Sequence, residues 1–118
     1  MAISYTPVPY PMKLHITWDR LEKIGKDAEK GIPLRNNRQR FIARNTAMYN
    51  ACIEKSTRTE IYNIGDEVAY ISSCQFSIGG ETALEVNKGT IWKVTPKTCY
   101  INGAYRPMYK ILGKLPRN

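Results

Sequence analysis

Apolar residues along this chain follow two rhythms, and the change between them falls near Tyr62. Before it they recur every three or four positions, the spacing of one helix face. After it they come in short runs divided by turn residues, the habit of strands. Trp18, Leu21, Ile24 and Ala28 mark a first helix over 17–30. Thr17 offers an N-cap, Asp19 and Glu22 suit the positive end of the helix dipole, and Lys26 and Lys30 suit the negative end. Gly31 supplies a C′ residue and Pro33 forbids continuation, leaving Gly25 as the weak point of the interior. A second helix runs from 36 or 38 to 55. Its stripe is Phe41, Ile42, Met48, Tyr49, Cys52 and Ile53, with Arg40 and Arg44 four apart on the opposite, solvent face.

Beyond Tyr62, turn signals recur at Gly65-Asp66, Gly79-Gly80, Asn87-Lys88-Gly89, Pro96-Lys97 and Asn102-Gly103. The runs between them are rich in Val, Ile, Tyr and Thr, which predicts strands over 67–76, 82–86, 90–95, 98–101 and 104–112. Asn102-Gly103 suits a type I′ turn, whose central residues both need positive φ. Pro107 requires an edge position or a bulge. At the other end, Pro7, Pro9 and Pro11 alternate with Tyr5 and Tyr10. Fixed φ angles there predict an extended arm over 1–16, lying against its own domain or offered to an aromatic groove.

Short strands joined by tight turns suggest a small closed or nearly closed barrel. Ile64-Gly65-Asp66-Glu67-Val68-Ala69-Tyr70, then Gly89-Thr90-Ile91-Trp92-Lys93-Val94, then Tyr100-Ile101 and Tyr109-Lys110-Ile111 resemble the pattern of SH3-like barrels, the family of KOW and Tudor modules. The resemblance covers roughly 62–112; the stretch between Val68 and Gly89 is longer than the compact KOW signature, and the N-terminal half shows no such likeness. The expected fold is α+β: two N-terminal helices followed by a five-stranded antiparallel SH3-like barrel. All 118 residues are read as one domain, with the arm over 1–16, a helical part over 17–58 and the barrel over 62–113.

Charge adds a second kind of pattern. The formal net charge is +8, and it is segregated. From Lys30 to Ile53 there are Lys30, Arg35, Arg38, Arg40 and Arg44 without one acid; from Val86 to Asn118 there are Lys88, Lys93, Lys97, Arg106, Lys110, Lys114 and Arg117, again without one. Segregated charge of one sign selects partners, and a polyanion is the first candidate. Arginines at a helix N-terminus also oppose its dipole, at a cost of about 0.3–1 kcal/mol each. Nothing in the sequence alone shows folding to call for them, so either the helix begins later or they serve something outside the fold.

Catalytic chemistry finds little to stand on. His15 is the sole histidine and has no evident partner, there is no GxxxxGK[ST] and no GxGxxG, and the carboxylates form no isolated pair. Cys52, Cys74 and Cys99 have no disulfide or zinc spacing and read as free thiols of a reducing compartment. No cofactor or metal is expected. No secretory leader and no apolar run of about 20 residues is visible, which predicts a cytoplasmic protein without a membrane partner.

Binding has more support. In the second basic block, aromatic and cationic residues interleave, so a strand face there could stack bases while neutralising phosphates. Strict alternation puts Trp92 with Val94 and Ile91 with Lys93, unless a bulge intervenes, and leaves open whether Trp92 and the tyrosines are core or platform. The candidate contacts are Arg35, Arg38, Arg40, Arg44, Lys88, Trp92, Lys93, Lys97, Tyr100, Arg106, Lys110 and Lys114. They imply a small non-enzymatic nucleic-acid-binding accessory or regulatory protein, for RNA or DNA. The alternative is a protein-interaction module, such as a phage-like inhibitor or adaptor docking on an acidic surface of a host enzyme. A nuclease built on His15 is a weaker third.

Overall fold

Thr17 caps the first helix as its sequence predicts: its Oγ1 accepts from the Arg20 N–H at 3.2 Å. A computed structural model describes residues 10–72, 85–96, 98–101 and 110–116, together with the backbone of 104–107. The chain runs β1 (Met12–Leu14), α1 (Trp18–Glu29), α2 (Asn37–Glu54), β2 (Ser56–Arg58), β3 (Glu67–Ser72), β4 (Glu85–Val94), β5 (Thr98–Ile101), β6 (Ala104–Pro107) and β7 (Ile111–Lys114). Residues 1–9 of the proline-rich arm, Gly79-Gly80, Asn102-Gly103, Cys74 and Lys97 lie outside the described residues.

The α+β class stands, but the five-stranded antiparallel barrel does not. The strands form one open sheet in the order β2-β1-β7-β3-β4-β5-β6. Its pairings are antiparallel except for β1 and β7, which run parallel at Lys13 and Lys114. Two extra strands enter from the region read as arm and helix, because Lys13–Thr17 alternates and the end of α2 turns straight into an antiparallel partner for it. The His15 N–H donates to the Lys55 carbonyl at 2.7 Å, fastening that return. Residues 12–14 are therefore sheet rather than arm.

Two predicted strands also merge. Asn87-Lys88-Gly89 is not a turn: it lies inside β4, where Asn87, Lys88 and Gly89 face Tyr70, Ala69 and Val68 of β3. Gly89 is buried there. Conversely, the predicted strand over 104–112 divides into β6 and β7, which sit on different sides of the sheet order. Pro107 is on the edge strand, where its missing N–H interrupts no inner ladder. The Gly65-Asp66 turn forms as expected, with Gly65 at φ 94° and the Asp66 carboxylate accepting from the Asn63 N–H at 2.8 Å.

Each face of the sheet has its own apolar core. On one, Leu21 of α1 and Met48, Tyr49 and Cys52 of α2 pack on Leu14, Ala69, Ile71, Val86 and Leu112. On the other, Tyr62, Val68, Ile91, Cys99, Ile101 and Ile111 close together. The Tyr62 hydroxyl, almost wholly buried, accepts from the Met12 N–H at 3.0 Å and ties β1 to this second core. Asn45 is buried too. Its Nδ2 donates to the Phe41 carbonyl and its Oδ1 accepts from the Val86 N–H, each at 2.9 Å, so one amide joins α2 to β4.

Gly25 is no defect. A β-carbon there would lie 2.8 Å from Arg44 Cγ and 3.0 Å from Met48 Sδ, so its bare backbone is what lets α1 and α2 cross closely. The other end of α1 departs from expectation. Gly31 does not take positive φ; the helix tightens instead, with the Lys30 N–H reaching the Asp27 carbonyl at 3.4 Å and the Ile32 N–H reaching Glu29 at 3.1 Å.

Candidate nucleic-acid interface

The basic start of α2 divides when seen in place. Arg40 is not on a solvent face. Its Nη1 donates to the Glu29 carbonyl at 3.0 Å and to the Ile32 carbonyl at 2.6 Å, and its Nη2 lies 3.7 Å from Glu29 Oε1. These carbonyls lie at and just past the C-terminus of α1, the end whose dipole attracts a cation, and the Glu29 carbonyl takes Arg40 as a second donor beside the Ile32 N–H. Folding therefore does call for this arginine, against the reading that assigned the whole cluster to an outside partner. Arg44 is half-buried rather than solvent-facing; its stem covers Gly25, and the residue lines a cleft of about 270 Å³ with Phe41, Asn45, Glu85, Val86 and Asn87. The polar groups beside it satisfy one another: Asn87 Nδ2 donates to Ser72 Oγ at 2.7 Å and to Glu85 Oε1 at 2.6 Å. Arg38 is half-buried in the first turn of α2, and Arg35 is exposed in the preceding loop.

The aromatic and cationic residues of β4 and β5 come together more completely. Ile91 pairs with Ile101, but the next partners are Lys93 with Tyr100 and Val94 with Cys99, so Trp92 is an extra residue in the ladder. This bulge changes which way the strand points. Ile91 is buried in the second core and Val94 packs against it, while both Trp92 and Lys93 are exposed. Strict alternation would have buried either Lys93 or Trp92. The bulge instead sets Trp92 and Lys93 beside Tyr100, whose neighbours Cys99 and Ile101 turn inward. Trp92 keeps 50% of its surface exposed, its ring tilted 60° to Tyr100 with centroids 5.3 Å apart. The Lys93 ammonium sits 5.1 Å above the Tyr100 ring. Trp92 is thus outside the core.

Along the same strand, Lys88, Thr90 and Trp92 occupy alternate, exposed positions. Lys88 Nζ lies 6.0 Å from the centre of the Trp18 ring on α1. Lys110 and Lys114 are half-buried around β7, with Lys114 in the middle of the sheet order, and Arg106 has its backbone opposite Cys99. Among the described residues the predicted ones do not form one continuous surface: Trp92, Lys93 and Tyr100 cluster, Lys88 shares their strand, and Arg40 belongs to the helix junction. Asn45 and Tyr62, which sequence reasoning passed over, tie elements together rather than line a site.

Among the described residues no three His, Cys, Asp or Glu side chains are grouped to hold an ion. His15 Nε2 is 2.7 Å from Thr57 Oγ1, a contact between the residue after β1 and its antiparallel partner β2. Cys52 and Cys99 are free and buried, and burial pushes the Cys52 thiol up to about 12 and the Cys99 thiol upward as well. Burial likewise raises the Tyr62 phenol. All three groups hold their protons more tightly folded than unfolded. Their contribution is fully present below about pH 8.5 and is lost as pH climbs toward the folded values. The denaturant midpoint should therefore fall steadily above about pH 9, with Cys52 alone accounting for on the order of 3–4 kcal/mol by pH 12. A thiol-reactive disulfide reagent should leave Cys52 and Cys99 unmodified in the native protein at pH 7. Rapid native labelling of Cys52, or an unchanged midpoint up to pH 11, would contradict this.

Among the described residues, no helix is long and apolar enough to cross a membrane. No family model, no curated protein and no solved structure matches this chain.

Proposed function

We propose that the protein is a small non-enzymatic module that binds nucleic acid through a cationic, aromatic strand face. The observation that carries this reading is the bulge in β4, which exposes Trp92 and Lys93 beside Tyr100 on a chain of net charge +8. Aromatic rings flanked by cations serve the two parts of a nucleotide at once: the ring meets the flat face of a base and the ammonium meets phosphate. Lys88 extends the same strand, and Arg35, exposed before α2, offers a further cation. Arg40 is left out of this surface because its guanidinium is engaged in the fold.

Affinity arising from phosphate neutralisation falls linearly in log K with log salt concentration. Fluorescence anisotropy with labelled RNA and DNA, single- and double-stranded, should give micromolar or tighter binding at about 50 mM salt and a steep loss by about 300 mM. No binding of any of the four at low salt would overturn the proposal. The exposed cations Arg35, Lys88 and Lys93 would equally serve the second reading, a surface for an acidic protein partner. That reading predicts a stoichiometric partner copurifying free of nucleic acid.

A further inference from the structure

Resting on that reading, we infer that the β4–β5 surface selects single strands over duplex, with Trp92 as the ring on which an unpaired base stacks. A duplex hides both faces of its bases inside the helical stack, so a protein ring can meet a base face only where the strand is open. Surfaces that hold duplex phosphates need cations and gain nothing from a half-exposed indole. Here the indole is the centre of the surface. Trp92 is held at one side by the tilted Tyr100 ring and keeps half its area open, so it is positioned before a ligand arrives and little ordering remains to be done on binding.

The cations are disposed to match. Lys93 is adjacent to the indole because the bulge turns it outward, and Lys88 lies four positions earlier on the same strand, about 13 Å away at about 3.3 Å per residue. Phosphates on either side of a stacked base would thus each find a lysine. Lysine, a compact point charge on a flexible stem, tolerates the variable backbone path of an open strand. Meanwhile two arginines of the α2 cluster are drawn into the fold, Arg40 at the end of α1 and Arg44 over Gly25, which weakens the case for a rigid arginine grid on duplex phosphates. Since every base has a π-face, recognition should be tolerant of sequence.

The test is anisotropy of the full chain with a labelled single strand of about 12 nucleotides and the matching duplex at one low salt concentration. The single strand should bind at least about tenfold more tightly. Trp92→Ala should weaken single-strand binding by about 5- to 100-fold while duplex affinity stays within about twofold, and Trp92→Phe should restore most of the loss. Unlabelled single strand should also quench tryptophan fluorescence of the unmodified protein, which removes dependence on any variant. Equal or tighter duplex binding, or an unchanged Trp92→Ala, would overturn this inference and leave the nucleic-acid reading standing. Absence of binding to both ligands would remove that reading itself, and a partner protein captured without nucleic acid would replace it.

Discussion

Arg40→Ala should lower stability by about 2–4 kcal/mol and change nucleic-acid affinity by less than about twofold. Its guanidinium serves two carbonyls, those of Glu29 and Ile32, and approaches the Glu29 carboxylate; both partners' side chains are only 20% exposed. Removing it takes a donor from the Ile32 carbonyl, leaves the Glu29 carbonyl with the Ile32 N–H alone, and takes the cation from the Glu29 carboxylate, in surroundings where water replaces them poorly. Charge-assisted hydrogen bonds contribute about 1.5–3 kcal/mol each, while exposed ion pairs contribute little. Arg35→Ala is the matched control: its residue is exposed in the loop, and its effect should stay within about 0.5 kcal/mol. Urea midpoints of the two variants decide the matter. If they coincide, the helix junction does not depend on Arg40, and its charge is again available to a partner.

The second large effect is expected at Gly113. A β-carbon there would lie 2.9 Å from Leu14 Cγ and 3.1 Å from the Met12 carbonyl oxygen. Leu14 is fully buried and the carbonyl belongs to β1, so neither has room to retreat. The position follows a bulge in β7, where Ala69 faces Gly113 and Tyr70 already faces Ile111. Gly113→Ala should cost about 3 kcal/mol, at the upper end for overpacking because backbone is involved. Gly31→Ala provides the contrast, since nothing lies within 4 Å of a β-carbon there and its φ is not positive. It should be neutral or gain about 0.4–1 kcal/mol by restricting the unfolded chain. Thermal unfolding of both variants checks the pair; a Gly113→Ala protein as stable as its parent would mean that β1 and β7 are less closely packed than the geometry requires.

What could be read in advance was local. The start of α1 depends on Thr17, three residues from the N–H it accepts, and the Gly65-Asp66 turn depends on Asn63 three residues earlier. Such signals travel with the sequence. Arg40 was misjudged because its main acceptors are backbone carbonyls eight and eleven residues away, and a carbonyl leaves no mark in residue type. A block without acids therefore looked idle when part of it was employed. Asn87-Lys88-Gly89 has the composition of a turn, yet it pairs along β3, and pairing is a property of two strands. A barrel was expected where an open sheet forms for a similar reason: alternation over Lys13–Thr17 is a local mark, but nothing in it says that Met12–Leu14 pairs with Ser56–Arg58 and with the distant Lys114.

Trp92 is the instructive middle case. Ile91 and Val94 are three apart with Trp92 and Lys93 between them, a spacing that two-residue alternation cannot bury on one side. Either the strand bulges or a residue is misplaced. The sequence thus contained the question, and the register against Tyr100 and Cys99 answers it.

β7 is last in the chain but lies inside the sheet, between β1 and β3. Remove it and the sheet separates into two unconnected pieces, β2-β1 on one side and β3-β4-β5-β6 on the other. The β1–β2 pair, whose strands lie on either side of both helices in the chain, reaches the rest of the sheet only through Ile111–Lys114. The last of the described strands is also the seam that makes the sheet one body.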